Sequence, residues 1–365
     1  MNFQIANADG SYLFDNAGKR YINLSESINI LGHKNPELLS LLFSYLRHGY
    51  LHYPLTISTS EIAREVEKKL LSLSNLNAGE SIFSSSGSEA CDLALTVLSE
   101  FGPVIILQGA YHGLCGQYLI KDQFDELKYQ NQFNTSFPYT HDNFGDIEHL
   151  INKGAKSIIL EVIQVESGIR EVYNGFLQDL KHEFPDLIVC IDESYTGIGK
   201  TGKMFAYQWH NFVPEMVILG KAIGGGIPLG ITLINEEIYK RSNNVKKMRN
   251  KSFGSTAGNI LGLNFANFIL NKVSQEQFLK DVQSKGHLFV KTVGNDFSTL
   301  ISGKGLIYGI RSDDRVIDDY INKLLKLGVY VTKMRNAIRI SPPLTISEEL
   351  ITESGQKIKS VLSGI

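Results

Sequence analysis

Met216–Gly230 reads MVILGKAIGGGIPLG, an apolar run that stops at one lysine and is followed by three consecutive glycines. The run Met216–Leu219 has the length of a buried strand, and it delivers Lys221 into a glycine-lined opening. Lysine is strongly hydrated and costly to desolvate without a partner, so the placement serves neither solubility nor packing. It suits a lysine that forms a covalent imine. Taken alone, the stretch is better read as a strand ending in a solvated lysine at a turn. Its neighbours in the chain decide otherwise.

Four more apolar runs have strand length: Val104–Leu107, Ser157–Leu160, Leu187–Ile191 and Ile231–Ile234. Helical or irregular segments separate most of them, which predicts an α/β fold with a mainly parallel sheet between helices. Ligands bind such sheets beyond the carboxyl ends of the strands. Glu161, the pair Asp192–Glu193, and Lys221 stand just past three of the runs, so three ionisable positions converge. Ser86 with Glu89 makes a capping box before Ala90, Leu93, Ala94, Val97 and Leu98 at helical period. A helix starting there offers first-turn amides and its dipole to a phosphate, and Gly87 admits a close ligand. The alternative is a well-capped helix with no ligand.

Elsewhere, Tyr12–Leu24 reads as two short strands about the turn Asp15-Asn16-Ala17-Gly18, and helices are predicted over Pro36–His48 and Glu61–Leu73. This opening stretch carries no catalytic cluster of its own. Lys251–Leu263, KSFGSTAGNILGL, is a second serine/threonine and glycine loop entering a helix. A long helical stretch through about Leu288 follows. Then come a strand near Leu306–Ile310, a helix near Val316–Leu327, strands at Val329–Thr332 and Ala337–Ile340, and a last helix opened by Thr345 with Glu348. The pattern predicts an N-terminal segment (1–45) joining a small domain, a large domain (46–259) and a C-terminal small α+β domain (260–365). Arg339, beside Pro342-Pro343, reads equally as a salt-bridge partner or a carboxylate clamp.

Gly197–Gly202, GIGKTG, satisfies GxGxxG, but the following KMFAYQWHNFVPE has no clear helix to receive a pyrophosphate. A P-loop would need glycine where Ser194 stands. The 365 residues are 43% hydrophobic and 20% charged, as in a soluble globular protein. A net charge of -2 without a basic block argues against nucleic acid or anionic membrane as the main partner, leaving small molecules. The opening residues do not resemble a signal peptide, and no apolar run has bilayer length. Cys91, Cys115 and Cys190 are far apart, with no CxxC and no metal-ligand spacing, so reduced, mostly buried thiols in a cytoplasmic protein without a metal are expected.

With these residues in view, the sequence resembles the class III, or omega, aminotransferases of the pyridoxal phosphate fold-type I enzymes, including the acetylornithine, ornithine and 4-aminobutyrate aminotransferases. The resemblance covers nearly the whole chain, from FDNAGKRYINL and LGHKNPE to IRISPPLTISEE. SSSGSEA, AYHG, EVIQVESG, DESYTGIGKTGKMFA, LGKAIGGGIPLG and GSTAGN appear in the family's order. It implies a large domain with a seven-stranded-type sheet and pyridoxal 5'-phosphate as cofactor. Lys221 would hold the cofactor as a Schiff base and move the proton. Asp192 would pair with the pyridine nitrogen. Ser86, Gly87 and Ser88 would form the phosphate loop, and Thr256 would reach the phosphate from the other subunit of a homodimer. Tyr111 would stack on the ring, with His112 beside it in an open role. Gln164 would lie near the phenolic oxygen and Glu161 close to substrate. Glu166 and Arg339 stand where ornithine-type members have a pair that opens to accept a carboxylate.

The departures bear on substrate. Ser194 and Tyr195 replace an aliphatic residue under the ring and a glutamine, altering contacts to the cofactor. Leu114 replaces an arginine of acetylornithine and ornithine members, removing a carboxylate-binding group. The GSTAGN loop is one residue short and lacks an aromatic. The reaction implied is transfer of an amino group between an amine or amino acid and a keto acid or aldehyde. A racemase, epimerase, aminomutase or lyase on the same fold is the first alternative. A non-catalytic scaffold and a dinucleotide-dependent oxidoreductase are the others.

Overall fold

The computed structural model describes residues 3–48, 60–76, 78–114, 132–135, 144–249 and 254–364. Cys115 and the first three residues of the Lys251–Leu263 loop lie outside them.

A seven-stranded sheet runs through the centre, in the order Gly79–Ser84, Gly230–Asn235, Met216–Leu219, Ile188–Asp192, Ser157–Leu160, Val104–Leu107, Gln132–Thr135. The last five are mutually parallel, and Gly230–Asn235 is antiparallel to both of its neighbours. Gly79–Ser84 therefore points the same way as the five. Alternate side chains enter two separate apolar clusters. Ile105, Leu107, Ile158, Leu160, Val189, Ile191, Val217 and Leu219 face one way, with the helix Ile260–Val273. Val104, Ile106, Ile159, Ile188, Cys190, Met216 and Ile218 face the helix Gly87–Leu98 on the other side. A strand covered on both faces has no polar side to show, which is why these segments read as unbroken apolar runs.

Two smaller sheets flank this layer. Ile5–Asp9, Tyr12–Asp15 and Arg20–Asn23 are joined by Val329–Tyr330, which pairs in parallel with Arg20–Asn23. Ile301–Lys304, Ile307–Arg311, Ala337–Ile340 and Thr332–Met334 form an antiparallel sheet. The two are stitched at Ser25 and Ser341, where Glu26 N donates to Ser341 O at 2.7 Å and Ser341 N donates to Leu24 O at 2.6 Å.

The expected helices over Pro36–His48 and Glu61–Leu73 are present with those bounds. Five expectations are corrected. The strand placed at Val329–Thr332 is two short strands, Val329–Tyr330 and Thr332–Met334, in different sheets. The strand placed at Leu187–Ile191 runs over Ile188–Asp192, so Asp192 is its last residue rather than the one beyond it. The long helix through Leu288 is two helices, Ile260–Val273 and Glu276–Val293, broken at Ser274 and Gln275. The run near Leu306 belongs to a hairpin that begins at Ile301. Ser347, not Thr345, caps the last helix: its side chain accepts from Leu350 N, while Ile346 is buried and turned back on Pro343 O at 3.1 Å.

Candidate active site

The carboxyl ends of Gly79–Ser84, Val104–Leu107, Ile188–Asp192 and Met216–Leu219 open on one side of the sheet, around a cavity of 340 Å³. Ser86, Gly87, Ser88, Tyr111, His112, Asp192, Ser194 and Lys221 are on its wall. Glu161, Gln164, Glu166, Tyr195, Thr256 and Arg339 are not.

Lys221 follows its strand after one glycine and has φ +46°, a left-handed conformation that is uncommon for a residue with a side chain and is held only where surroundings impose it. Gly220 and Gly87 make the close approach possible: a Cβ on Gly220 would stand 2.8 Å from Gly87 Cα. Among the described residues the Lys221 amine has no hydrogen-bond or ion-pair partner, and it lies 5.1 Å from the centre of the Tyr195 ring. The contact is with an aromatic face and not with a carboxylate.

Asp192 is 5% exposed at the cavity floor. Its Oδ2 lies 2.8 Å from His112 Nδ1 and 3.3 Å from Cys91 Sγ, and its Oδ1 accepts from Ser194 N at 2.9 Å. Burial pushes its pKa up, but the His112 hydrogen bond and charge and the Ser194 amide outweigh this, so the net shift is down. The carboxylate stays ionised. His112 thereby acquires the role that the sequence left open. Only Asp192 of the acidic pair serves the cavity, because Glu193 turns to Thr196 Oγ1 at 2.6 Å and Tyr207 N at 3.0 Å. The donor atoms of Cys91, His112 and Asp192 lie within 4.8 Å of one another, a gathering that their wide sequence spacing conceals. Hydrogen bonds account for it. Burial raises the Cys91 thiol well above its ordinary range, which makes it a poor thiolate ligand.

At the helix Gly87–Leu98, Ser86 Oγ accepts from Glu89 N at 3.2 Å. The Glu89 carboxylate reaches Ser85 N at 2.8 Å, one residue beyond the expected box. The amides of Gly87 and Ser88 have no acceptor among the described residues. Thr256 Oγ1 is 2.9 Å from Ser85 Oγ within this one chain.

The outer residues differ from expectation. Glu161 is buried behind Tyr111, accepting from Tyr111 N at 2.8 Å and Val165 N at 3.3 Å, so it positions the aromatic residue instead of facing the cavity. Burial first, and Asp192 with it, raise its pKa to about 7 against the pull of His112. Gln164 is fully buried, with its Oε1 taken by Arg170 Nε at 3.0 Å and its Nε2 donor without a hydrogen-bond partner among the described residues. Glu166 and Arg339 form no ion pair among the described residues. Arg339 Nε and Nη2 instead lie 3.2 and 2.9 Å from Ser25 Oγ, with the guanidinium 5.4 Å from the Tyr195 ring centre. Leu114 is 46% exposed beside Tyr111.

The opening stretch contributes after all. Ile28 lines the cavity, and Ser25 holds Arg339. Neither has a sequence signal, since a lone serine and a lone isoleucine are ordinary in any loop. Lys200 of GIGKTG is fully buried, donating to Glu26 O at 2.7 Å, Ser341 Oγ at 2.9 Å and Pro342 O at 3.3 Å. Its N–H groups serve protein acceptors, and only a short 3₁₀ turn, Ala206–His210, follows. The motif is a junction between segments rather than a nucleotide loop.

The residues present fit pyridoxal phosphate. Two amides without acceptors suit its phosphate, an amine without a partner suits its aldehyde, and an ionised floor carboxylate suits its ring nitrogen.

The family model for class-III aminotransferases matches residues 1–362. The acetylornithine aminotransferase of Aquifex aeolicus is 28% identical over 97% of this chain and 95% of its own length. The solved N-acetylornithine aminotransferase of Stenotrophomonas maltophilia superposes with a TM-score of 0.81 at 21% identity, covering 100% of this chain and 96% of that one. An Arthrobacter phospholyase, solved with phosphoethanolamine, superposes with a TM-score of 0.86 at 20% identity over 100% and 95%. These two structures speak for the fold alone.

Proposed function

The chain belongs to the class-III aminotransferases, a pyridoxal phosphate-dependent family, and from that premise we propose which of its residues move the amino group between an amine or amino acid donor and a keto acid or aldehyde acceptor. When bound, pyridoxal phosphate supplies an aromatic ring that takes up the electron pair left on the substrate carbon. Lys221 anchors the cofactor and then, once freed by the donor, carries the proton. Asp192, kept ionised by His112, Cys91 and Ser194 N, keeps the facing ring nitrogen protonated. Gly87 and Ser88 present amides to the phosphate, and Ser86 fixes the helix start that aims them. Tyr111, whose backbone is set in place by Glu161, would cover one face of the ring. Ser194, on the cavity wall beside Asp192, would contact the opposite face.

The observation that carries this reading is Lys221, left-handed and without an anion, at the rim of a cavity floored by Asp192. The purified protein loaded with pyridoxal phosphate is expected to be yellow. Borohydride is expected to bleach it and fix the label on Lys221. A colourless protein, or a label on another lysine, would sink the assignment.

We further propose a cytoplasmic homodimer in which Thr256 reaches the partner's phosphate, and a division into residues 1–45, 46–259 and 260–365. Acetylornithine is not assigned as substrate, because Leu114 removes a carboxylate-binding group. The changes at Ser194, Tyr195 and Leu114 keep a racemase, aminomutase or lyase as the second reading. Donor amine alone separates the two: an aminotransferase passes to the pyridoxamine form.

A further inference from the structure

Three successive carbonyls of GIGKTG are engaged from three directions. Lys200 O accepts from Leu306 N at 2.9 Å, Thr201 O from Trp209 Nε1 at 3.3 Å and Gly202 O from Gln283 Nε2 at 2.6 Å. They draw together the hairpin of Ile301–Lys304 and Ile307–Arg311, the Ala206–His210 turn and the helix Glu276–Val293. The junction is tight: Gly305 has φ +57°, and a Cβ on it would stand 2.4 Å from the Thr201 carbonyl carbon. Between the three segments lies a second cavity, of 680 Å³, which shares no lining residue with the one at Lys221. Trp209, Val290, Ile301 and Tyr308 give it an apolar, aromatic wall, on which His287, Lys291 and Lys304 stand with no Asp or Glu. Lys304 is paired with Glu171, which is outside the cavity. Lys291 and His287, one helical turn apart, have no hydrogen-bond or ion-pair partner among the described residues, and neither has the hydroxyl of the buried Tyr308. Burial, and then the charge of Glu171, push the Tyr308 pKa up to about 12, so the phenol remains a donor at neutral pH. The field is positive: at His210, beside Trp209, burial and then Lys304 and Lys203 lower the pKa to about 4.

We propose that this cavity is a second ligand site, separate from the catalytic one, for a small anion carried on an aromatic ring. The ring lies against Trp209, Val290 and Ile301, and the anion meets Lys291, His287 and the Tyr308 hydroxyl. An apolar wall with a few convergent polar groups is the usual make-up of a small-molecule site. Solubility alone accounts for the exposed Lys291 and His287, but not for the indole and phenol grouped beside them with a hydroxyl left over. A phosphate monoester and a carboxylate satisfy the same donors. The site stands apart from the aminotransferase reading: a protein that took up no pyridoxal phosphate would fail that reading and could still bind here.

Trp209 is the single tryptophan of the chain, so its fluorescence reports on this wall. The holoenzyme is first reduced with borohydride, which fixes the cofactor and takes the catalytic site out of the measurement. Phenyl phosphate and phenylacetate are then titrated by fluorescence and calorimetry, beside benzyl alcohol, the ring without the anion, and inorganic phosphate, the anion without the ring. One of the two aromatic anions is expected to shift the emission and to bind about tenfold more tightly than either control, the tighter of them identifying phosphate or carboxylate. Lys291→Gln removes a hydrogen bond to a charged group and is expected to bind that probe about tenfold more weakly. Lys280→Gln makes the same charge change on the same helix but off the wall, and is expected to bind it as wild type does. Both lysines are exposed, so neither change threatens folding. An unmoved emission with both aromatic anions, binding no tighter than the controls, wild-type binding in Lys291→Gln, or an equal loss in the two variants overturns the proposal.

Discussion

Glu161 is a carboxyl group that burial makes reluctant to ionise, with a pKa raised to about 7 from an ordinary value of 4.5. As pH rises through that interval the unfolded chain gives up a proton that the folded chain keeps. Stability therefore falls between about 4.5 and 7, and the cost is complete above about 7, where it amounts to ~3 kcal/mol. Glu161→Gln removes the charge and retains one acceptor for Tyr111 N. It is expected to be about 1–3 kcal/mol more stable than wild type at pH 8 and equal to it near pH 4.5, by urea unfolding. At this scale the sequence was readable where chemistry is concentrated and silent where it is distributed. Lys221 and Asp192 stand at strand ends beside glycines, so residue type and position agree. Ser25 and the buried orientation of Gln164 depend on partners hundreds or several residues away, and no local pattern records them.

The loop Leu24–Ile30 shows what a short element can hold. Glu26 accepts from Ile28 N at 2.9 Å and Asn29 N at 2.8 Å, and lies 2.9 Å from His33 Nε2. Burial opposes its ionisation, but His33 and the two amides prevail and bring its pKa down to about 2. The sign is opposite to that of Glu161: the stabilisation is full above about 4.5 and is lost as pH falls from there toward about 2. Glu26→Gln is expected to cost about 3 kcal/mol at pH 7, the gap narrowing steadily as the buffer is taken down to pH 3, measured by urea unfolding. Among the elements, buried parallel strands announced themselves because both faces are apolar. Gly79–Ser84, GESIFS, did not, because its buried Ser81 is paid for by Glu67, which takes Ser81 N at 2.6 Å and Ser81 Oγ at 2.7 Å from a helix. Polarity satisfied at long range looks like a loop in the one-dimensional pattern.

Across the whole molecule, among the described residues, one chain leaves Phe43 57%, Leu46 52%, Leu114 46% and Tyr111 36% exposed, the last of them on the cavity wall. Exposed large apolar side chains are what a subunit interface covers. Light scattering is expected to give about twice the chain mass of 40.7 kDa. Phe43→Asp with Leu46→Asp is expected to shift the protein toward monomer and to weaken retention of pyridoxal phosphate on dialysis; a tight, cofactor-loaded monomer would contradict the shared-site reading. The α/β plan was legible throughout, and the first residues were expected to join the C-terminal part, but the individual contacts that close Ser25 and Glu26 on the last strands leave no periodicity to read.

That closure has a consequence for how the protein is made. Ser25 waits for Thr332 and Arg339, and Glu26 O waits for Lys200 and Ser341, bonds that span between 174 and 315 positions of chain. The strands that place Asp192, Lys221 and the Gly87–Leu98 helix all lie before residue 236, whereas Ser25 can meet Thr332 and Arg339 only when the final strands are present. Contacts of such long reach are also the slowest to form. A chain that lacks the final strands is expected to leave Ser25, Glu26 O and Lys200 without the partners that Thr332, Arg339 and Ser341 provide.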